Sequence, residues 1–330
     1  MIEPLVPETL DLAHPVVKKE YSLFTGSIEA AVDAVGTWID QRAKGGVIFG
    51  PSQYGKSNGL SNWLQLDLQR RLRGEVPLVF WSYEPSGSAA QLHNKLRRAA
   101  SDGHPQRYKR DAMSDLVEKL IMRALRSEAR YALMVIDEAQ AMTEREWIWM
   151  VQLHSRLELE GIQLCLVPVV SLQFNQRPYE LAHTGSAHAS ARFMLYEHEF
   201  HGMRSADELR AVLLGYGEDS EWPVGSGTSY TAGIAPGPFA SGLRLSDYAP
   251  QLWTALFENL PRGYNGPEDY PMQSVALAAR NVLLRVAGSE SGAGWEKCVS
   301  QAAWTEAVAM TGHKAHMALV SLYAGRRGPG

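Results

Sequence analysis

Gly46-Val47-Ile48-Phe49-Gly50-Pro51-Ser52-Gln53-Tyr54-Gly55-Lys56-Ser57-Asn58, carried on by Gly59-Leu60-Ser61-Asn62-Trp63-Leu64, is the stretch that decides the fold. Val47, Ile48 and Phe49 read as a short apolar strand, and the residues after Ser57 read as an amphipathic helix. Between them, Gly50 to Ser57 fits the phosphate-loop pattern G-x-x-x-x-G-K-[ST] at every defined position. The spacing has a chemical reason. Backbone N–H groups of such a loop turn inward around a β-phosphate, and the following helix offers its positive N-terminal end to the same anion. Gly50 and Gly55 permit the tight backbone path, Lys56 reaches the β and γ oxygens, and the Ser57 hydroxyl can ligate Mg²⁺. The predicted nucleotide-binding set is Gly50, Pro51, Ser52, Gln53, Tyr54, Gly55, Lys56, Ser57 and Asn58.

The second informative stretch is Arg130-Tyr131-Ala132-Leu133-Met134-Val135-Ile136-Asp137-Glu138-Ala139-Gln140. An unbroken apolar run suits a central parallel strand buried on both faces. It ends in adjacent carboxylates, where open α/β sheets bind ligands. In a phosphate-loop enzyme Asp137 takes the Mg²⁺ role and Glu138 polarises the attacking water. Another buried strand is expected from Ile162 to Val170, ending at Ser171-Leu172-Gln173. A polar side chain at that tip could sense a γ-phosphate, with Ser171 the first candidate and Gln173 the second.

Around these two stretches the chain reads as an alternation of helices and strands. A helix is expected over about 22–43, one after Ser57 up to Arg73, and a strand over Pro77–Ser82. Helices follow at about 89–100, 113–130 and 143–160, with Trp147 and Trp149 as core residues. Pro4, Pro7 and Pro15 make the first 20 residues an expected extended arm. A strand-like Met194-Leu195-Tyr196 comes before a helix at 205–214. Residues 215–250 are rich in Gly, Ser and Pro and read as an insertion. Helical patterning resumes at 252–260, 272–286 and 295–310, and Gly325–Gly330 reads as a tail.

Composition narrows the class. The chain has 330 residues, 45% hydrophobic and 21% charged, with a formal net charge of −4, so any nucleic-acid contact needs a local basic patch. Lys95, Arg97, Arg98, Arg107, Lys109 and Arg110 supply one, with His104 and Tyr108 among them. It reads either as a solvated face or as a surface for phosphate backbones. Cys165 and Cys298 are too few for a disulfide framework or a zinc site. His198-Glu199-Phe200-His201 is one residue short of the zinc-binding H-E-x-x-H, and His188 and Ser190 lack a nucleophile context. The opening residues do not resemble a signal peptide and no apolar run approaches a membrane span, so a cytoplasmic protein is expected.

The order of these features resembles AAA+ ATPases, and within them the transposition regulators of the TniB/TnsC type, relatives of MuB and IstB. Besides the two nucleotide motifs, the similarity rests on His14-Pro15, the compact loop GPSQYGKS, VIDEAQ, and Ala189-Ser190-Ala191-Arg192-Phe193. The resemblance implies an α/β fold: a phosphate-loop, three-layer parallel-sheet core over about 21–203, after an arm at 1–20. A small α-helical lid over 204–330 follows. It also implies ATP and Mg²⁺ as cofactors, with Lys56, Ser57, Asp137 and Glu138 in the ATPase roles above. Arg192 matches the arginine finger that completes the neighbouring subunit's site. Arg280 is the candidate second sensor and Arg285 its rival. Such proteins assemble into rings or filaments on duplex DNA without reading sequence, link a targeting protein to a transposase, and contact DNA through the segment carrying Lys95–Arg110. A different class remains open: a signalling or defence ATPase that recruits protein partners without DNA.

Overall fold

The computed structural model describes residues 5–74, 76–101, 104, 107–171, 187–266, 268–289 and 294–324. In chain order its elements are α1 (Pro15–Lys18), α2 (Gly26–Asp40), β1 (Val47–Phe49), α3 (Lys56–Leu72), β2 (Leu78–Ser82), α4 (Ala89–Ala99), α5 (Ala112–Ala124), β3 (Tyr131–Asp137) and α6 (Glu144–Leu159). There follow β4 (Gln163–Val170), α7 (Ala187–Phe193), β5 (Glu197–Glu199), α8 (Ala206–Leu214), α9 (Tyr230–Ile234), α10 (Pro236–Ala240), α11 (Ala249–Glu258), α12 (Met272–Gly288), α13 (Gln301–Ala309) and α14 (His313–Ala324). The chain divides into two compact units. One comprises Ile28–Ser52 and Lys56–Phe200; the other comprises the residues up to Ser27, the loop tip Gln53–Gly55, and the chain from His201.

The first unit is an α/β fold on a five-stranded sheet in the order β2-β3-β4-β1-β5. Every pairing is parallel. All strands therefore end at the same edge, and the register brings Ser82 opposite Asp137, Phe49 opposite Val170, and Phe49 opposite Glu199. β3 is buried at all seven positions. That is what a central strand covered on both faces requires, and it explains the apolar run before Asp137. The core joins these strands to Leu92, Leu96, Leu116, Leu120, Trp147, Met150 and Leu153 from α4, α5 and α6.

Local chemistry sets the helix starts. Ser88 accepts the Gln91 N–H at 3.3 Å to open α4, and Asp111 accepts the Ser114 N–H at 3.3 Å to open α5. Thr143 and Glu146 form a reciprocal capping box at α6. The last strand departs from the sequence reading: helix α7 runs through Phe193, and the chain pairs with β1 at Glu197–Glu199, not at 194–196. An edge strand is fixed by its one neighbour. Here the Val47 N–H donates to the Tyr196 carbonyl at 2.8 Å and the Phe200 N–H to that of Phe49 at 2.7 Å, and three residues of strand carry no composition signal.

The second unit is helical, with a core built on Leu209, Leu213, Leu252, Leu256, Ala279, Leu283 and Trp304. The expected extended arm is instead partly packed. His14 caps α1 by accepting the Val16 N–H at 3.2 Å, Pro15 takes the first turn, and Val16 and Val17 are buried. The 215–250 segment also contributes to this core through Tyr216, Ile234, Leu243 and Leu245. Its helices are too short to show a period. The expected helix over 295–310 is divided, because Ser300 caps α13 by accepting the Ala303 N–H at 3.4 Å. Helix α14, not expected from the sequence, follows. Among the described residues no helix is long and apolar enough to cross a membrane.

Candidate nucleotide site

The phosphate loop leaves β1 at Gly50 and enters α3 at Lys56. Gly50 is obligatory: a Cβ there would lie 2.2 Å from the Phe200 carbonyl oxygen. Gly55 has φ +100° and Gln53 φ +68°, so the backbone turns left-handed on either side of Tyr54. Among the described residues, the N–H groups of Ser52, Gln53 and Gly55 donate to no protein acceptor. A loop with unspent donors, running into a helix of 17 residues, fits an anion such as a polyphosphate. Ser52, Gln53 and Asn58 are exposed, Ser57 is half-buried, and Pro51 and Tyr54 are buried.

Lys56 is buried, and its Nζ donates to the carbonyls of Gly50 at 2.9 Å and Pro51 at 2.7 Å. Burial pulls its pKa down to about 8, against the opposing charges of Asp137 and Glu138. Those two carboxylates are therefore near enough to act on the charge of the loop lysine. Asp137 is buried at the end of β3, and its Oδ1 accepts the Glu138 N–H at 3.1 Å. Glu138 is exposed and adopts a left-handed backbone, φ 56° and ψ 32°, before the short 3-10 turn Ala139–Ala141. For a residue with a Cβ this stores about 1 kcal/mol or more. Its side chain also accepts from Gln140 Nε2. Ser171 follows β4, which lies between β1 and β3, so its backbone leaves the sheet between the loop and the acidic pair. Gln173 lies outside the described residues.

Other expected residues are placed differently. Arg280, the candidate second sensor, donates from Nε to the Val16 carbonyl at 3.0 Å and from Nη2 to that of Val17 at 2.9 Å. Its guanidinium braces the end of α1, so the sensor expectation is corrected. Arg285 pairs with Glu306 at 2.9 Å. Arg192 is half-buried against α6: Nη1 donates to Ser155 Oγ at 2.8 Å and lies 3.3 Å from His154 Nδ1. Burial, and then the Arg192 charge, hold the His154 pKa down at about 4.

The basic cluster divides as well. Arg97 is 2% exposed and bonds Asp115 Oδ2 at 2.8 Å, Asn94 Oδ1 at 3.0 Å and the Arg107 carbonyl. It is an internal strut joining α4, α5 and their connector, which corrects its place among surface contacts. Lys95 is half-buried and spans the carbonyls of Glu84 at 3.2 Å and Pro85 at 2.5 Å. Lys109 is exposed and paired with Asp115. Arg98, Arg107, Arg110, His104 and Tyr108 are exposed. Sequence reasoning missed Asp269, which meets the loop through Tyr54 Oη at 3.2 Å, and nothing in the residues near Asp269 signals it.

No curated protein sequence matches this chain. Among solved structures, Cdc6p from Pyrobaculum aerophilum is 16% identical with a TM-score of 0.47, over 86% of this chain and 64% of that one. A Drosophila ORC structure bound to poly(dA/dT) DNA and Cdc6 gives 10% identity and a TM-score of 0.48, over 86% of this chain and 44% of that one. AMPPCP-bound DnaA from Aquifex aeolicus gives 11% identity and a TM-score of 0.35, over 96% and 99%. This chain thus spans less than two thirds of the length of the first two of these chains. The segment that carries the phosphate loop, Asp137-Glu138 and Ser171 is similar to an established family: residues 39–173 match the model described as an AAA domain.

Proposed function

We propose that this protein is a Mg²⁺-dependent ATPase of the TniB/TnsC type that assembles on duplex DNA and governs where a transposase inserts. The observation that carries the nucleotide part is that the Gly50–Lys56 loop after β1 and Asp137-Glu138 after β3 leave one parallel sheet at the same edge, where both carboxylates act on the charge of buried Lys56. The Gly50–Asn58 loop would hold the phosphates, while Ser57 and Asp137 would hold Mg²⁺, which supplies charge neutralisation when bound. Glu138 is the group that orients and polarises the attacking water. Ser171 is the first-sensor candidate. In this reading Arg192 leaves Ser155 and His154 to serve a neighbouring subunit's site in trans. It acts in a homo-oligomer.

The DNA surface in this reading is carried by Arg98, Arg107, Lys109 and Arg110, with Lys95 at its margin. Their contacts are to phosphates, which position a duplex without reading its sequence. A targeting protein and a transposase are the partners, and hydrolysis releases the assembly in a cytoplasmic setting. The test combines ATP turnover with negative-stain microscopy on duplex DNA. ATP-dependent rings or filaments on DNA are the expected result. ATP turnover with no DNA-dependent assembly would instead favour a signalling ATPase that recruits proteins.

A further inference from the structure

The phosphate-loop pattern leaves the residue before Gly55 unspecified, yet Tyr54 is 2% exposed. A phenolic hydroxyl withdrawn from water needs a partner. Tyr54 Oη donates to Asp269 Oδ1 at 3.2 Å and also lies 3.3 Å from the Asp269 carbonyl oxygen. Asp269 is itself 5% exposed, and its other oxygen, Oδ2, accepts the Gly202 N–H at 2.8 Å. Each oxygen of the carboxylate therefore serves one neighbour. Its position is fixed by a short antiparallel bridge, in which Met203 and Tyr270 exchange both backbone hydrogen bonds at 2.9 Å. Gly202 must be glycine, because a Cβ would lie 2.1 Å from the Tyr270 carbonyl oxygen and 2.9 Å from the Tyr54 ring.

The tip is held at a second point, where the Gln273 N–H donates to the Gln53 carbonyl at 3.1 Å. The His316 ring lies 6.4 Å from that of Tyr54. All of these residues, Gln53–Gly55 included, belong to the helical unit. The strain explains why such a clamp is useful. Gln53 carries a positive φ despite its Cβ, a conformation that persists only where the surroundings over-determine it. Burial, reinforced by the nearby Asp269 charge, pushes the Tyr54 hydroxyl far up, so it remains a donor throughout the physiological range.

We propose that Asp269 is a positioning residue for the phosphate loop: acting through the Tyr54 hydroxyl, it holds the loop tip in the conformation that receives a nucleotide's phosphates. The ligand in this statement rests on the nucleotide reading above; the holding of the loop does not.

Asp269→Ala removes the side-chain acceptors of both Tyr54 and Gly202, whereas an amide there could still accept from one neighbour and donate to the Tyr54 oxygen. Tyr54→Phe removes the first of these bonds from the other side. Full-length protein, both variants and the double variant are compared by amide hydrogen exchange of the 50–58 peptide, by calorimetric ATP affinity and by thermal melting. Each single variant is expected to exchange about tenfold faster at 50–58, with the β3 peptide unchanged, and to bind ATP about tenfold more weakly. In the double variant the effects should add to less than their sum, since the Tyr54–Asp269 side-chain bond is already lost in either single variant. Unchanged exchange at 50–58 in both single variants overturns the proposal. So does a uniform rise in exchange across all peptides, which marks a merely structural residue. If the wild-type protein fails to bind ATP, the nucleotide reading falls, while exchange at 50–58 still decides the role of Asp269.

Discussion

The Nζ of Lys56 is bonded at once to the carbonyl oxygens of Gly50 and Pro51, 2.9 and 2.7 Å away, so the loop lysine folds back on the first residues of its own loop. Its pKa of about 8 makes this contact pH-sensitive. Above that value the amine loses its charge, and receiving a polyphosphate then requires uptake of a proton. ATP affinity should therefore be flat below pH 7.5 and weaken as the pH rises through 8 to 9, by up to about tenfold per unit. Calorimetry at pH 7 and pH 9, in buffers of different ionisation enthalpy, reads both the affinity and the proton uptake. Lys56→Ala should abolish binding at every pH.

Glu138 is exposed at the end of the sheet edge and makes no contact that the fold requires for its core. Glu138→Gln should leave ATP binding within about twofold and lower the turnover number by about 10² or more, the range assigned to a positioned base. A phosphate-release assay and a binding titration on the same sample separate the two. Undiminished turnover would remove Glu138 from the mechanism.

Arg97 and Arg98 are adjacent in sequence and opposite in environment, one buried and ion-paired, the other exposed. Arg97→Ala should destabilise the fold by about 2 kcal/mol, because it removes the bonds from Arg97 to Asp115, Asn94 and the Arg107 carbonyl while Lys109 still pairs with Asp115. Arg98→Glu with Arg110→Glu should leave thermal stability almost unchanged and weaken duplex DNA binding, with a shallower salt dependence. Chemical denaturation and a salt titration of DNA affinity check the pair. DNA binding unaffected by the double reversal would move the contact elsewhere.

His154 in the sheet unit and His313 in the helical unit are both held down to a pKa of about 4, with burial the largest cause in each. An unfolded chain binds these protons near pH 6.5, so the unfolded state holds more protons between those values. Stability should be constant above pH 7 and fall as the pH drops from 6.5 towards 4. Melting at pH 7.5, 6 and 5 measures this. Replacing His154 by Gln should flatten part of the decline, because the substituted residue has no proton to take up.

The sequence by itself determined the parts of this protein that depend on neighbours in the chain. Gly50 to Ser57 fits the phosphate-loop pattern within eight consecutive residues, and its backbone follows locally, with Gly50 where no Cβ fits and Gly55 at a positive φ. The run before Asp137 had to be a covered central strand, because only burial on both faces tolerates it. Helices α4, α5 and α6 were legible as helical stretches at about 89–100, 113–130 and 143–160. The tertiary structure decided what depends on residues far apart. It set β5 at Glu197–Glu199 through pairing with β1, and drew Val16 and Val17 into a core. It sent the guanidiniums of Arg97 and Arg280 to inward partners, although neither differs in local sequence from a surface arginine. It joined Tyr54 to Asp269 across 215 positions. A long polar side chain can turn to water or to a buried acceptor at similar local cost, and only the assembled surroundings choose between them.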